Sequence, residues 1–237
     1  MLIHLLLLTF FQLQAKSDSN ISRVNYEDRY KLTNVYEKLV DNKGNGFEPL
    51  YGTRNVRVVF HGIYYRSGAN NYYHRTNKRA NMNPMPNDGL LNLCQEGFKK
   101  AIYFYEENFD TAPKLTRCQD IEGNYNELKY VQLNPSDPEQ MRLILETIHE
   151  AISDPSQGPI LGHCWNGWHA SGIAATFALR QFCGWTGEEG VSYWDQNTDG
   201  NNQDPPYERF RTKIREFEPY RDLKISRKRQ REICPQP

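Results

Sequence analysis

The chain has 237 residues, 38% hydrophobic and 13% aromatic, enough for one substantial buried core. Lys and Arg number 29 and Asp and Glu 29, so the formal net charge is zero. No global field draws such a protein to nucleic acid or to a membrane surface, and any recognition of an anion must be local.

The first residues, MLIHLLLLTFFQLQA, carry an apolar run from Leu5 to Phe11 and a small residue, Ala15, before the polar KSDSN. Residues 1–15 read as a secretory signal peptide, although Lys and Arg are absent from its start. The run is too short to span a bilayer and no other segment approaches that length, so the mature chain is expected to hold no integral membrane segment. The expected location is secreted or periplasmic. Residues 16–50 are polar and charged, with helical promise from Tyr30 to Val40 and a break at Lys43-Gly44-Asn45-Gly46, and read as an N-terminal extension. Asn20-Ile21-Ser22 is a glycosylation sequon, relevant only in a eukaryotic secretory path.

Val56 to Phe60 is apolar enough for a strand and leads into the turn and YRSG element at Tyr65. Gly68 to Asp88 is an Asn- and Pro-rich connection without periodicity that holds Tyr72, Tyr73, His74, Arg75, Lys78 and Arg79. It reads as a packed surface loop or as the border of an anionic substrate site. Gly89 to Phe104 reads as a helix, a turn at Gly97 and a strand, and Tyr130 to Leu133 as another strand. Pro138 to Ser153 is a helix opened by the Asp137-Pro138 pair, with Pro in the first turn. Pro159-Ile160-Leu161 then gives a short buried strand, HCWNGWHASG runs from His163 to Gly172, and Ile173 to Phe182 has apolar residues at helical spacing.

Past that helix, Asp195, Asn197, Asp199 and Gly200 match the opening of a calcium loop, but Pro206 stands where the closing glutamate belongs, which favours an Asn/Asp-rich turn. No His/Cys group has structural-zinc spacing, so neither a metal nor another cofactor is implied. Ser226 to Arg231 is a basic run, read as a solvated helix end or tail. Five cysteines are present, Cys94, Cys118, Cys164, Cys183 and Cys234. If Cys164 is a working thiol, the other four permit two disulfides in three pairings; alternatively Cys94 and Cys183 are unpaired core residues.

Cys164 sits on a strand-loop-helix turn, where successive backbone N–H groups and the positive end of a helix aim at one point and favour a thiolate or a bound oxyanion. With the order of elements from Val56 to Phe182, this stretch resembles the cysteine-dependent protein tyrosine and dual-specificity phosphatases, whose loop reads His-Cys, five residues, Arg, then Ser or Thr and often Gly. His163, Cys164, Gly167, Ser171 and Gly172 fall where that pattern expects them. Ala170 occupies the arginine position, preceded by His169. The missing guanidinium is the family's bidentate ligand for phosphoryl oxygens, and a methyl group cannot replace it.

The resemblance implies an α/β, protein tyrosine phosphatase-like domain at residues 51–220, a central mostly parallel sheet flanked by helices, with a basic tail at 221–237. It implies Cys164 as nucleophile, His163 as the loop's support, Ser171 assisting departure from the thiol, and oxyanion binding by the backbone from Trp165, Asn166, Gly167 and Trp168 through Ala170 to Gly172. His169 is expected either as a surrogate positive group or as a solvent-facing residue. Trp165 and Trp168 wall a pocket or pack the loop. Asp137 is the nearest candidate for the acid that protonates the leaving oxygen and fits a helix cap equally; Asp120 is a remoter candidate. Two functions follow: a thiol-dependent hydrolase acting on a phosphate ester or similar anionic substrate, or a pseudophosphatase that binds a phosphorylated or anionic ligand without turnover. A different thiol chemistry, such as acyl transfer, is a third.

Overall fold

The computed structural model describes residues 26–69 and 84–237. The expected signal peptide at residues 1–15, the sequon and most of the Gly68–Asp88 connection lie outside these residues. Six strands, β1 (Arg54–Phe60), β2 (Tyr64–Gly68), β3 (Lys100–Tyr103), β4 (Leu115–Gln119), β5 (Tyr125–Gln132) and β6 (Ile160–Cys164), form one sheet in the order β1, β2, β6, β3, β5, β4. The inner pairs β2·β6, β6·β3 and β3·β5 are parallel, and the edge strands β1 and β4 pair antiparallel. All five residues of β6 are buried, as suits a central parallel strand covered on both faces. The architecture is therefore the α/β one that the resemblance implies, with a mostly parallel sheet flanked by helices.

Helices α1 (Asn87–Gln95), α2 (Pro138–Ser153), α3 (Ala170–Cys183), α4 (Gly187–Gln196), α5 (Glu208–Glu216) and α6 (Arg227–Ile233) complete the described fold. In α2, Asp137 accepts hydrogen bonds from the N–H groups of Glu139 and Gln140, and Met141, Ile144, Leu145 and Ile148 form the buried stripe. Helix α3 follows β6 directly and is buried nearly all round, from Ser171 to Leu179, because it packs on β2 and β6 while α2, α4 and α5 cover its outside. It stops at Gly184, whose φ of 71° provides the left-handed cap. The opposite face of the sheet carries a second core that includes Leu90, Leu93 and Phe98.

The segments on either side of residues 51–220 both pack into the core. Residues 26–50 are part of the core: Tyr30, Val35, Val40 and Leu50 are buried, Arg29 pairs with Glu96, and Val40 bridges Val56 of β1. α-Helix is confined there to residues 26–30, with a single 3-10 turn at Glu48–Leu50. The polar composition hid a few well-spaced apolar anchors. Residues 221–237 are likewise no free tail. Leu223 and Ile233 are buried, and Cys234 is bonded to Cys183 at the end of α3. A second disulfide joins Cys94 to Cys118, which leaves Cys164 as the free cysteine, and buried.

Candidate active site

Cys164 ends β6 with 3% of its surface exposed, and its thiol donates to Ser171 Oγ at 3.4 Å. The chain then turns through residues 165–169 into α3. Every carbonyl on this stretch is held from outside the turn. The N–H of Ala69 is shared between the carbonyls of Cys164 and Trp165, both at 3.0 Å. Asn55 Nδ2 donates to the Asn166 carbonyl at 2.8 Å. Arg66 donates to the carbonyls of Gly167 at 2.5 Å and Trp168 at 3.0 Å. Trp194 Nε1 donates to the carbonyl of His169 at 3.3 Å. In a planar trans peptide the next residue's N–H points opposite to the carbonyl, so pinning these oxygens outward turns the amides that follow them toward the inside of the loop, apart from the backbone bridge of Asn166 to Gly68 on β2. The turn enters a helix with the thiol in its floor, a geometry that can receive an anion.

Glycines make this path possible. Gly167 has φ of 76°, and a Cβ there would lie 2.6 Å from the backbone nitrogen of Gly68. A Cβ at Gly68 would lie 2.6 Å from the carbonyl oxygen of Trp165, and one at Gly172 would lie 2.9 Å from Trp194 and 3.2 Å from Arg66. The last value explains why a glycine stands at residue 172: it admits Arg66 and Trp194 against the first turn of α3.

His163 is fully buried beside Tyr103 and Tyr130, with ring centroids at 5.2 and 5.6 Å, and the two tyrosine rings also touch each other. Burial pushes its pKa down to about 4, so it is neutral at physiological pH. Its Nδ1 donates to the Cys164 carbonyl at 3.2 Å and its Nε2 accepts from the Tyr130 hydroxyl at 2.7 Å. It therefore holds the Cys164 carbonyl through a hydrogen bond and without a positive charge.

His169 is engaged on the side of the loop away from Cys164. Its Nε2 bonds the carbonyl of Asn201 at 2.5 Å and its ring stacks on Tyr207 at 4.5 Å, while no hydrogen bond joins it to Cys164. Burial lowers its pKa, a bond to the Asn201 carbonyl opposes this, and the charge of Arg66 lowers it further. Trp168 is also committed to the loop's far side, where its Nε1 donates to Asp199 at 3.0 Å and Arg54 lies over its ring. Trp165 is half-buried. Asp199 and Asp195 do not converge as calcium ligands would: Asp199 pairs with Lys38 at 2.6 Å and Arg57 at 3.4 Å, and Asp195 with Arg211 at 2.7 Å.

Beside the loop opens a cleft of about 480 Å³, lined by Ala170 and His169 on one side and by Tyr105, Glu106, Glu107 and Arg209 among its other walls. Asp137 is not among the lining residues. One oxygen of its carboxylate, Oδ1, holds both capping N–H groups at 2.9 Å. Asp120 is similarly engaged within its own turn, accepting from Glu122 and Asn124.

Sequence reasoning missed Arg66, Asn55 and the cleft carboxylates. Arg66 had a readable signal, an arginine inside the strand-like YRSG whose alternation with Tyr64 places it on a covered face. Asn55 and Glu106 had none, since their roles depend on a bulge and on a loop.

Fold and site together combine a mostly parallel sheet, a thiol at the end of a central strand, a turn whose carbonyls are held outward and a buried helix. Among solved structures, the chain is similar to the core catalytic domain of the PP-IP phosphatase SIW14 from S. cerevisiae in complex with citrate, at 15% identity and a TM-score of 0.45, covering 70% of this chain and 86% of that one. A second structure, of the Siw14 catalytic core, aligns at 14% identity and a TM-score of 0.43 over 69% and 85% of the two chains. No family model and no curated protein matches the chain.

Proposed function

We propose that this protein is a thiol-dependent hydrolase of phosphate esters or similar anionic substrates, with Cys164 as nucleophile. One observation carries the reading: the carbonyls from Cys164 to His169 are all held outward, so the amides face a free thiol. In this scheme Cys164 Sγ attacks phosphorus, an S–P bond forms as the ester P–O bond breaks, and the departing oxygen takes a proton. Water then cleaves the S–P bond, releasing phosphate and returning the thiol, with Ser171 Oγ stabilising the departing sulfur. Backbone N–H groups hold the equatorial oxygens. Asp137 is the acid expected from sequence; Glu106 and Glu107 are carboxylates that line the cleft and stand as its competitors.

With Ala170 in place of a guanidinium, turnover is slow. Losing one charged donor costs roughly 3–4 kcal/mol, or about 10²–10³ in rate. That substitution, together with the capping duty of Asp137, favours a second reading in which the loop binds a phosphorylated or anionic ligand without turnover. For either reading we place the protein in an exported, oxidising compartment, which the two disulfides and the apolar leader support. The balanced net charge argues against a nucleic-acid partner.

The test is incubation of the purified protein with an aryl phosphate and a phosphopeptide panel beside Cys164→Ser. Turnover abolished by the substitution establishes the hydrolase. Phosphopeptide binding without turnover in the parent selects the binding module, and neither binding nor turnover contradicts both.

A further inference from the structure

In the parallel β2·β6 pair, Arg66 lies opposite Gly162 and Ser67 opposite His163. Cys164, two residues past Gly162, therefore shares the sheet face of Arg66 and is its diagonal neighbour, with Cα atoms about 8 Å apart from strand spacing and rise. Arg66 is fully buried. Its Nη2 holds the carbonyls of Gly167 and Trp168, its Nη1 reaches the Tyr193 hydroxyl at 3.5 Å, and its Nε has no hydrogen-bond partner. No carboxylate pairs with it among the described residues.

Its cross-strand partner deepens the imbalance. Arg57 faces Arg66 in the β1·β2 register and is 1% exposed. Burial first, and then the charge of Arg66, pushes its pKa down to about 10. Its carboxylate, Asp199, is 3.4 Å away and is shared with Lys38 and Trp168. Burying a charge without a counter-ion is expensive. Beneath this loop two guanidiniums are buried, and of the two only Arg57 has a carboxylate, which it shares with Lys38.

We propose that Arg66 is the fixed positive charge of the site, a positioning residue that orients the Gly167 and Trp168 peptides and supplies from beneath them the field that the absent guanidinium at residue 170 would give. An anion in the turn, thiolate or bound oxyanion, is the counter-charge that its burial lacks. The inference rests on the reading of the loop as an oxyanion cradle.

Alkylation of Cys164 by iodoacetamide, slowed by tungstate, measures anion affinity in the parent, in Arg66→Lys and in Arg66→Met, with circular dichroism confirming the fold of each. The tungstate concentration that halves the rate should rise at least tenfold in Arg66→Met and less than threefold in Arg66→Lys, which keeps the charge and loses the fork. A folded Met variant protected as well as the parent overturns the proposal and leaves the cradle standing. A Lys variant as weak as a tenfold loss shows a neutral brace and overturns it too. If the Met variant does not fold, the Lys variant decides alone by the same limits. Absence of protection in the parent removes the cradle itself, and the proposal with it.

Discussion

At residue 170 the methyl of Ala170 lines the cleft beside the amide loop, so a longer side chain there has space to enter. Ala170→Arg should place a guanidinium over the anion and raise aryl-phosphatase activity about 10²-fold, or oxyanion affinity at least severalfold. Steady-state kinetics and tungstate titration check it; a folded variant with neither gain means that the cleft serves another ligand. His163 carries a second expectation. Its folded pKa of about 4 lies below the ordinary 6.5, so the unfolded chain binds more protons between these values. Its contribution, about 3 kcal/mol, is full above pH 6.5 and falls away as the pH drops toward 4. Denaturant titrations from pH 7 to 4 should show this loss, and His163→Gln should flatten it; an unchanged slope in the variant would assign the acid sensitivity elsewhere. The candidate residues in HCWNGWHASG were readable because spacing alone identifies a thiol at a helix start. The engagement of His169 with Asn201 and Tyr207 was not, because those partners lie more than thirty residues downstream.

Among elements, the turn between β6 and α3 is held by glycines with different duties. Gly167→Ala meets backbone at 2.6 Å as well as a positive φ, whereas Gly123 has φ of 82° with nothing within 4 Å of a Cβ. Gly167→Ala should destabilise the fold by more than about 1 kcal/mol and abolish tungstate protection, while Gly123→Ala pays the backbone strain alone. Equal losses in the two variants would deny the close packing of the loop on β2. Strand β6 and helices α2 and α3 were readable from apolar runs and from the Asp137-Pro138 start. Strand β4, with its alternating exposed and half-buried residues, has no comparable apolar signal, and its pairing with β5 comes from tertiary context.

Over the whole molecule, one covalent link ties late sequence to the core. Cys183 and Cys234 are 51 residues apart, a closure worth up to about 4 kcal/mol on chain-entropy arithmetic. Cys234→Ser should lower the melting temperature and speed hydrogen exchange across residues 221–237 before it disturbs the sheet; exchange unchanged in that segment would mean that Ile233 and Leu223 suffice to dock it. The even number of remaining cysteines permitted two disulfides and left unpaired core cysteines open, and only three-dimensional proximity chooses among these and the three pairings. Similarly, the charged surface of residues 26–50 and 221–237 disguised a handful of buried anchors, and composition averages such residues away. The central claim is that outward-held carbonyls make a cradle of amides over Cys164. A crystal structure with tungstate tests it most directly. The account predicts a tetrahedral anion above Cys164 Sγ within hydrogen-bond distance of backbone N–H groups between Trp165 and Ser171. An anion bound elsewhere, or loop carbonyls turned toward the thiol, would contradict it.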